Sequence, residues 1–156
     1  MNIKSLLIIC FTILLNTGRV FSQVSIIKPI SISWMADNSE VSLKQGFEVG
    51  IPQPEKLILK VVFPNDIDPK KAKEDLKLEF VWYYYYATTK SFMDSYTVSY
   101  SNLKEGDILS QDKKNLILKS TRGDIYSGWW EVEVISKSED KPLSFNGVTK
   151  FQIYIN

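Results

Sequence analysis

The chain has 156 residues, 19 basic and 18 acidic side chains, no histidine and one cysteine. A near-neutral charge provides no electrostatic footprint for nucleic acid or for an anionic membrane surface. Without histidine, Ser-His-Asp and Cys-His nucleophile pairs and histidine-containing zinc sites are excluded.

The first segment reads as a secretory signal. Lys4 supplies a positive n-region, Leu6 to Leu15 form an apolar run, and Thr17-Gly18-Arg19 ends it. Val20-Phe21-Ser22 then offers compact residues where a signal peptidase reads. The run is shorter than the ~20 apolar residues a bilayer span needs. Leu7-Ile8-Ile9-Cys10 resembles a lipoprotein box only faintly, because Ile9 is too large to precede a modified cysteine. Residues 1–22 are therefore expected to be removed, leaving residues 23–156 as a single exported domain. Their removal takes Lys4, Arg19 and Cys10 and no acid, so the remaining chain has net charge −1 and no disulfide. Its stability must come from its core.

In chain order, residues 24–34 open the domain, with Ile30, Ile32 and Trp34 alternating with Ser31 and Ser33. Ala36-Asp37-Asn38-Ser39 is a turn cluster. Short strands are expected at 41–43 and 47–51, ended by Pro52 and Pro54, which cannot donate to a ladder. Residues 56–63 form a clear strand with Leu57, Leu59 and Val61 on one side. Asp68 can cap a helix that starts at Pro69 and runs at most two turns, as a crossover between sheets. Further strands are expected at 76–88, 96–101, 108–109, 115–120, 128–136 and 148–155. Turns at Ser138–Lys141 and Asn146-Gly147 separate the last ones. Regular strands with short turns and no internal repeat give an all-β, antiparallel immunoglobulin-like sandwich with at most one short helix.

The C-terminal third shows the strictest alternation. Trp130, Val132 and Val134 fall on one face of their strand, and Trp129, Glu131 and Glu133 fall on the other, read as wet. Phe151, Ile153 and Ile155 repeat the inward pattern. From Gly123 through IYSGWWEVEVIS to KFQIYIN, the sequence resembles the last two strands of bacterial immunoglobulin-like domains, including uncharacterised envelope families. The shared features are a Gly-aromatic start to the penultimate strand and a Phe-x-Ile final strand. The resemblance covers roughly the final third and lacks the Cys-Trp-Cys spacing of antibody domains. It implies a fold and an envelope setting, and transfers no activity.

Carboxylate pairs remain as candidate chemistry. Glu131 and Glu133 lie ~7 Å apart along a strand, a spacing some glycosidases use, but outward glutamates more often only solvate a face. Asp66, Asp68 and Asp75 supply too few ligands for calcium. Arg122-Gly123-Asp124 matches an integrin-binding tripeptide and is equally explained as a turn.

The most unusual feature is the run Trp82-Tyr83-Tyr84-Tyr85-Tyr86. A strand sends Trp82, Tyr84 and Tyr86 to one face and Tyr83 and Tyr85 to the other, with Val81. One set enters the core; the other, with Trp129 on a neighbouring strand, forms an exposed aromatic strip. Tyr96 and Tyr100 either extend the strip or cap the core. Such a strip serves a protein partner in the bacterial envelope or a glycan, or it merely stabilises the sheet. The expectation is a periplasmic or extracellular, non-catalytic binding module without cofactor, metal or nucleic-acid partner; the alternative is a carbohydrate-binding module. N-terminal sequencing or intact mass of the exported protein should place the mature start within a residue or two of Gln23, without lipid.

Overall fold

The structure, a computed structural model, describes residues 27–41, 50–64, 66–102 and 115–156. The expected signal segment, the strand at 108–109, and most of the strands at 41–43 and 47–51 lie outside these residues.

Four strands form the first sheet. They are β1 (Ser31–Ala36), β2 (Ser39–Glu40), β3 (Leu57–Pro64) and β6 (Asn115–Arg122), ordered β2-β1-β3-β6. The second sheet holds β4 (Lys77–Tyr86), β5 (Thr89–Ser99), β7 (Gly128–Ser136), β8 (Lys141–Pro142) and β9 (Lys150–Ile155). Its order is β5-β4-β7-β8, with β9 also on β7, and every pairing between strands is antiparallel. The expected sandwich with one short helix is the observed architecture. The helix, α1 (Pro69–Asp75), carries the chain from β3 to β4, and the Asp68 carboxylate accepts from the Lys70 N–H at 2.8 Å, as its capping position requires. Among the described residues no helix is long and apolar enough to cross a membrane.

Period-two alternation places the core. Leu57, Leu59, Val61 and Phe63 of β3 and Leu116 and Leu118 of β6 face Leu78, Phe80 and Trp82 of β4 and Trp130, Val132 and Val134 of β7. Three tryptophans from different strands meet edge-on between the sheets: Trp34 and Trp82 at 5.8 Å, Trp82 and Trp130 at 6.5 Å. Each such pair contributes ~0.5–1.5 kcal/mol beyond its buried area. The Trp82 indole N–H donates to Ser120 Oγ at 2.9 Å, which accounts for a buried serine on β6. The Trp130 N–H donates to the Tyr126 carbonyl at 2.9 Å.

Two departures from the sequence reading concern one hairpin. β4 ends at Tyr86 rather than Thr88, and β5 begins at Thr89, seven residues before the expected strand at 96. The turn between them is only Ala87-Thr88, with Ala87 at φ +50°. Alanine in the left-handed region carries none of the Gly or Asn signal by which such turns are recognised. A bulge opposite Trp82/Tyr83 then breaks the alternation of β5. Asn146-Gly147 is, as expected, a two-residue turn, with both residues at positive φ.

Replacing Trp130 by alanine removes a fully buried side chain and should lower stability by ~3–5 kcal/mol in urea melts. Tyr86→Ala, at a position 76% exposed, should stay within about ±0.5 kcal/mol.

Candidate functional site

The aromatic run lies on β4, the strand held between β5 and β7, and it divides as its alternation dictates. Trp82 is fully buried and belongs to the core, so it leaves the candidate ligand surface. Tyr84, on the same inner face, is half-buried; its hydroxyl donates to the Ser127 carbonyl at 2.6 Å and its ring meets Trp130 at 5.1 Å. Gly128, at φ +131°, permits this approach, because a Cβ there would stand 2.9 Å from the Tyr84 hydroxyl. Tyr86 continues the inner face past the end of the core into solvent.

Tyr83, Tyr85 and Trp129 share the outer face of the second sheet. The register lays out rows across four strands: Phe92, Tyr83, Glu131 and Gln152 in one, Lys90, Tyr85, Trp129 and Tyr154 in the next. Trp129 and Tyr154 meet at 5.2 Å with planes tilted by 53°. Phe92 stands edge-on to Tyr83 at 6.2 Å and is 63% exposed, the most prominent side chain of the face. Sequence reasoning missed Phe92 and Lys90 as members of this face, since only the register of β5 brings them here; Tyr154 falls outward on the last strand by its alternation, and the register of β9 sets it beside Trp129.

At the centre of this face lies Glu131, expected to be solvated but only 1% exposed. This corrects the sequence reading: the face is right, the wetness is not. Its carboxylate accepts from Lys90 Nζ at 2.6 Å, Gln152 Nε2 at 2.6 Å and the Tyr85 hydroxyl at 3.0 Å. Lys90 reaches across β4 over the Tyr83 ring, 3.6 Å from its centroid, and also binds Glu133 at 2.9 Å. Glu133 pairs further with Lys150 at 3.5 Å.

The protonation states follow from these contacts. Burial alone would push the Glu131 pKa up, but Lys90, Gln152 and Tyr85 outweigh it and hold the group below the ordinary carboxylate value. Partial burial pulls Lys90 down, and its bonds to Glu131 and Glu133 overcome this and raise it well above an ordinary lysine. Burial, followed by the Glu131 carboxylate, raises the Tyr85 hydroxyl.

The Arg122-Gly123-Asp124 tripeptide is not displayed as a recognition loop. The Arg122 guanidinium lies over the Trp130 ring, 5.5 Å from its centroid, with Asp94 of β5 at 3.9 Å. Asp66, Asp68 and Asp75 form no metal cluster; among the described residues no group of three His, Cys, Asp or Glu could hold an ion.

No protein-family model matches this chain, and no curated protein is similar to it.

Removing one partner of a buried pair strands the other, at a cost of ~3–5 kcal/mol. Because Lys90 is 30% exposed and retains Glu133, Glu131→Ala should fall near the lower end, about 3 kcal/mol. The Glu131 contribution is complete above the unfolded pKa of ~4.3 and disappears as pH falls through the lowered folded value. That of Lys90 is complete below ~10.4 and is lost only as pH rises through its raised value. Urea melts from pH 7 to pH 3 should therefore show an acid loss of stability in the native chain that is smaller in Glu131→Gln.

Proposed function

We propose that this chain is an exported, non-catalytic module that binds a protein partner in a bacterial cell envelope, using the outer face of its second sheet and the adjoining strand β5. The observation that carries this reading is the cluster of exposed large side chains there: Phe92 on the face, with Tyr86 and Tyr96 on the same hairpin. Such anchors, set beside a rigid aromatic layer, are what protein interfaces use.

Two features weigh against catalysis. Glu131 is held ionised by its partners, whereas a general acid needs a raised pKa. Glu131 and Glu133 are also bound to the same lysine, which occupies the space between them. The signal-like N-terminus supports export, and the near-neutral charge supports neither nucleic acid nor membrane surface as the partner.

The carbohydrate reading draws on Trp129 and Tyr154, which lie side by side next to Gln152. It is the weaker one. The two rings are tilted by 53° and offer no common plane, and the Tyr83 ring already carries Lys90 on one face. Stacking on a sugar requires an open ring face.

A photo-crosslinking residue placed at Phe92, in cells that export the protein, should capture an envelope protein that the same residue at Ile30 does not. Phe92→Ser should fold normally and weaken that partner by more than ~1 kcal/mol. A glycan array that binds the native chain but not Trp129→Ala, together with no Phe92-specific crosslink, would establish the carbohydrate reading instead.

A further inference from the structure

β5 is an eleven-residue strand on the rim of the second sheet. One of its edges pairs with β4; among the described residues no strand pairs with the other. At ~3.4 Å per residue this edge runs for more than 30 Å with no strand partner among the described residues. Exposed edges of this length pair readily with other chains, and proteins usually guard them with a projecting lysine, a proline or a charge.

On β5 the lysine of that guard is withdrawn, while the aspartate stays half-exposed. Its only charged residues are Lys90 and Asp94. Lys90 is folded back over Tyr83 onto Glu131 and Glu133, two strands away. Asp94 takes the Tyr96 hydroxyl and the Ser95 N–H and faces Arg122 across the gap between the sheets. The other rim strand on this side, β6, keeps Lys119 exposed in its middle with no ion pair among the described residues. The two rims are thus treated differently. What β5 leaves along its edge is Ser91, Phe92, Met93, Ser95, Tyr96 and Thr97.

The geometry points to β5 as the acceptor edge for an extended, uncharged polypeptide segment of the partner, which adds to the second sheet as a further strand with apolar side chains beside Phe92 and Tyr96. This rests on the proposed protein-binding role and specifies its mode. The bulge turns Phe92 to the outer face and leaves Tyr96 opposite Phe80 on the inner one, so the incoming strand meets an aromatic neighbour on each of its faces. Main-chain hydrogen bonds would supply affinity and the two aromatic neighbours selectivity. A second copy of this chain fits poorly: a two-fold pairing that matches Phe92 to Tyr96 sets Asp94 against Asp94, and one centred on Phe92 sets bulge near bulge. Like charges directly opposite one another are destabilising.

Selection from a phage library of linear peptides against the purified chain tests this while the partner is still unidentified. The expected binders are uncharged over their core, with apolar residues on both faces. They should protect amides of residues 89–99 from hydrogen exchange and lose about tenfold or more in affinity on Phe92→Lys. Tyr96→Ser should also weaken them, with unchanged far-UV circular dichroism in both variants. Binders that protect amides elsewhere, binders indifferent to Phe92→Lys, a library that yields none, or concentration-dependent dimerisation through β5 in sedimentation would each overturn strand addition. A Phe92-specific crosslink to an envelope protein without amide protection of β5 would preserve the binding role and reject only this mode.

Discussion

The contact on which the rest of the fold depends is the meeting of three indoles between the sheets. Trp34 comes from one sheet and Trp82 and Trp130 from the other, and edge-on packing ties the layers where no disulfide is expected to do so. The Trp82 N–H, bonded to Ser120, adds a directional link from β4 to β6 across the core. A layer of aliphatic side chains could slide; a polar bond inside an aromatic stack fixes one alignment of the two sheets. The register of every outer-face residue then follows, because β4 cannot shift without dislodging Trp82.

On the other side of β4 lies a second packed layer. Glu131, Lys90, Tyr85 and Gln152 form a small polar cluster, with Lys90 lying over the Tyr83 ring. Low local dielectric strengthens each of its bonds, and a fully satisfied network of this kind rigidifies what it joins. It joins β5 to β7 over the top of β4. The rim strand is thereby held by side chains as well as by its own ladder, while among the described residues no strand pairs with its outer edge. A stiff strand with an open edge is pre-organised for strand addition, because less ordering is needed on binding.

Much of this was legible in the sequence, and the parts that were not have identifiable causes. The strand faces of β3 and β7, the Asp68 cap, the Asn146-Gly147 turn and the two-sheet architecture followed from alternation and turn chemistry. The start of β5 did not, because Ala87 adopts a turn conformation that its type does not announce, and because the bulge interrupts the pattern of the strand that follows. The burial of Glu131 was invisible for a different reason. A glutamate on the polar face of a strand signals water unless its partners are known, and Lys90 lies 41 residues away in the chain. Phe92 was missed with β5: a single aromatic in what reads as a loop carries no periodic signal, and only the hairpin register places it beside Tyr83.

The distribution of the tryptophans has an optical consequence. Three of the four indoles are enclosed and packed in a chain of contacts, and the fourth, Trp129, is half-buried on the outer face against Tyr154. Closely packed, fixed indoles couple their transitions and give strong near-ultraviolet dichroism, which vanishes when tertiary packing loosens even if the strands persist. The core therefore carries its own spectroscopic reporter of sheet alignment. Replacing Trp129 by phenylalanine would isolate that signal, and the difference between the two emission spectra would report the outer face alone.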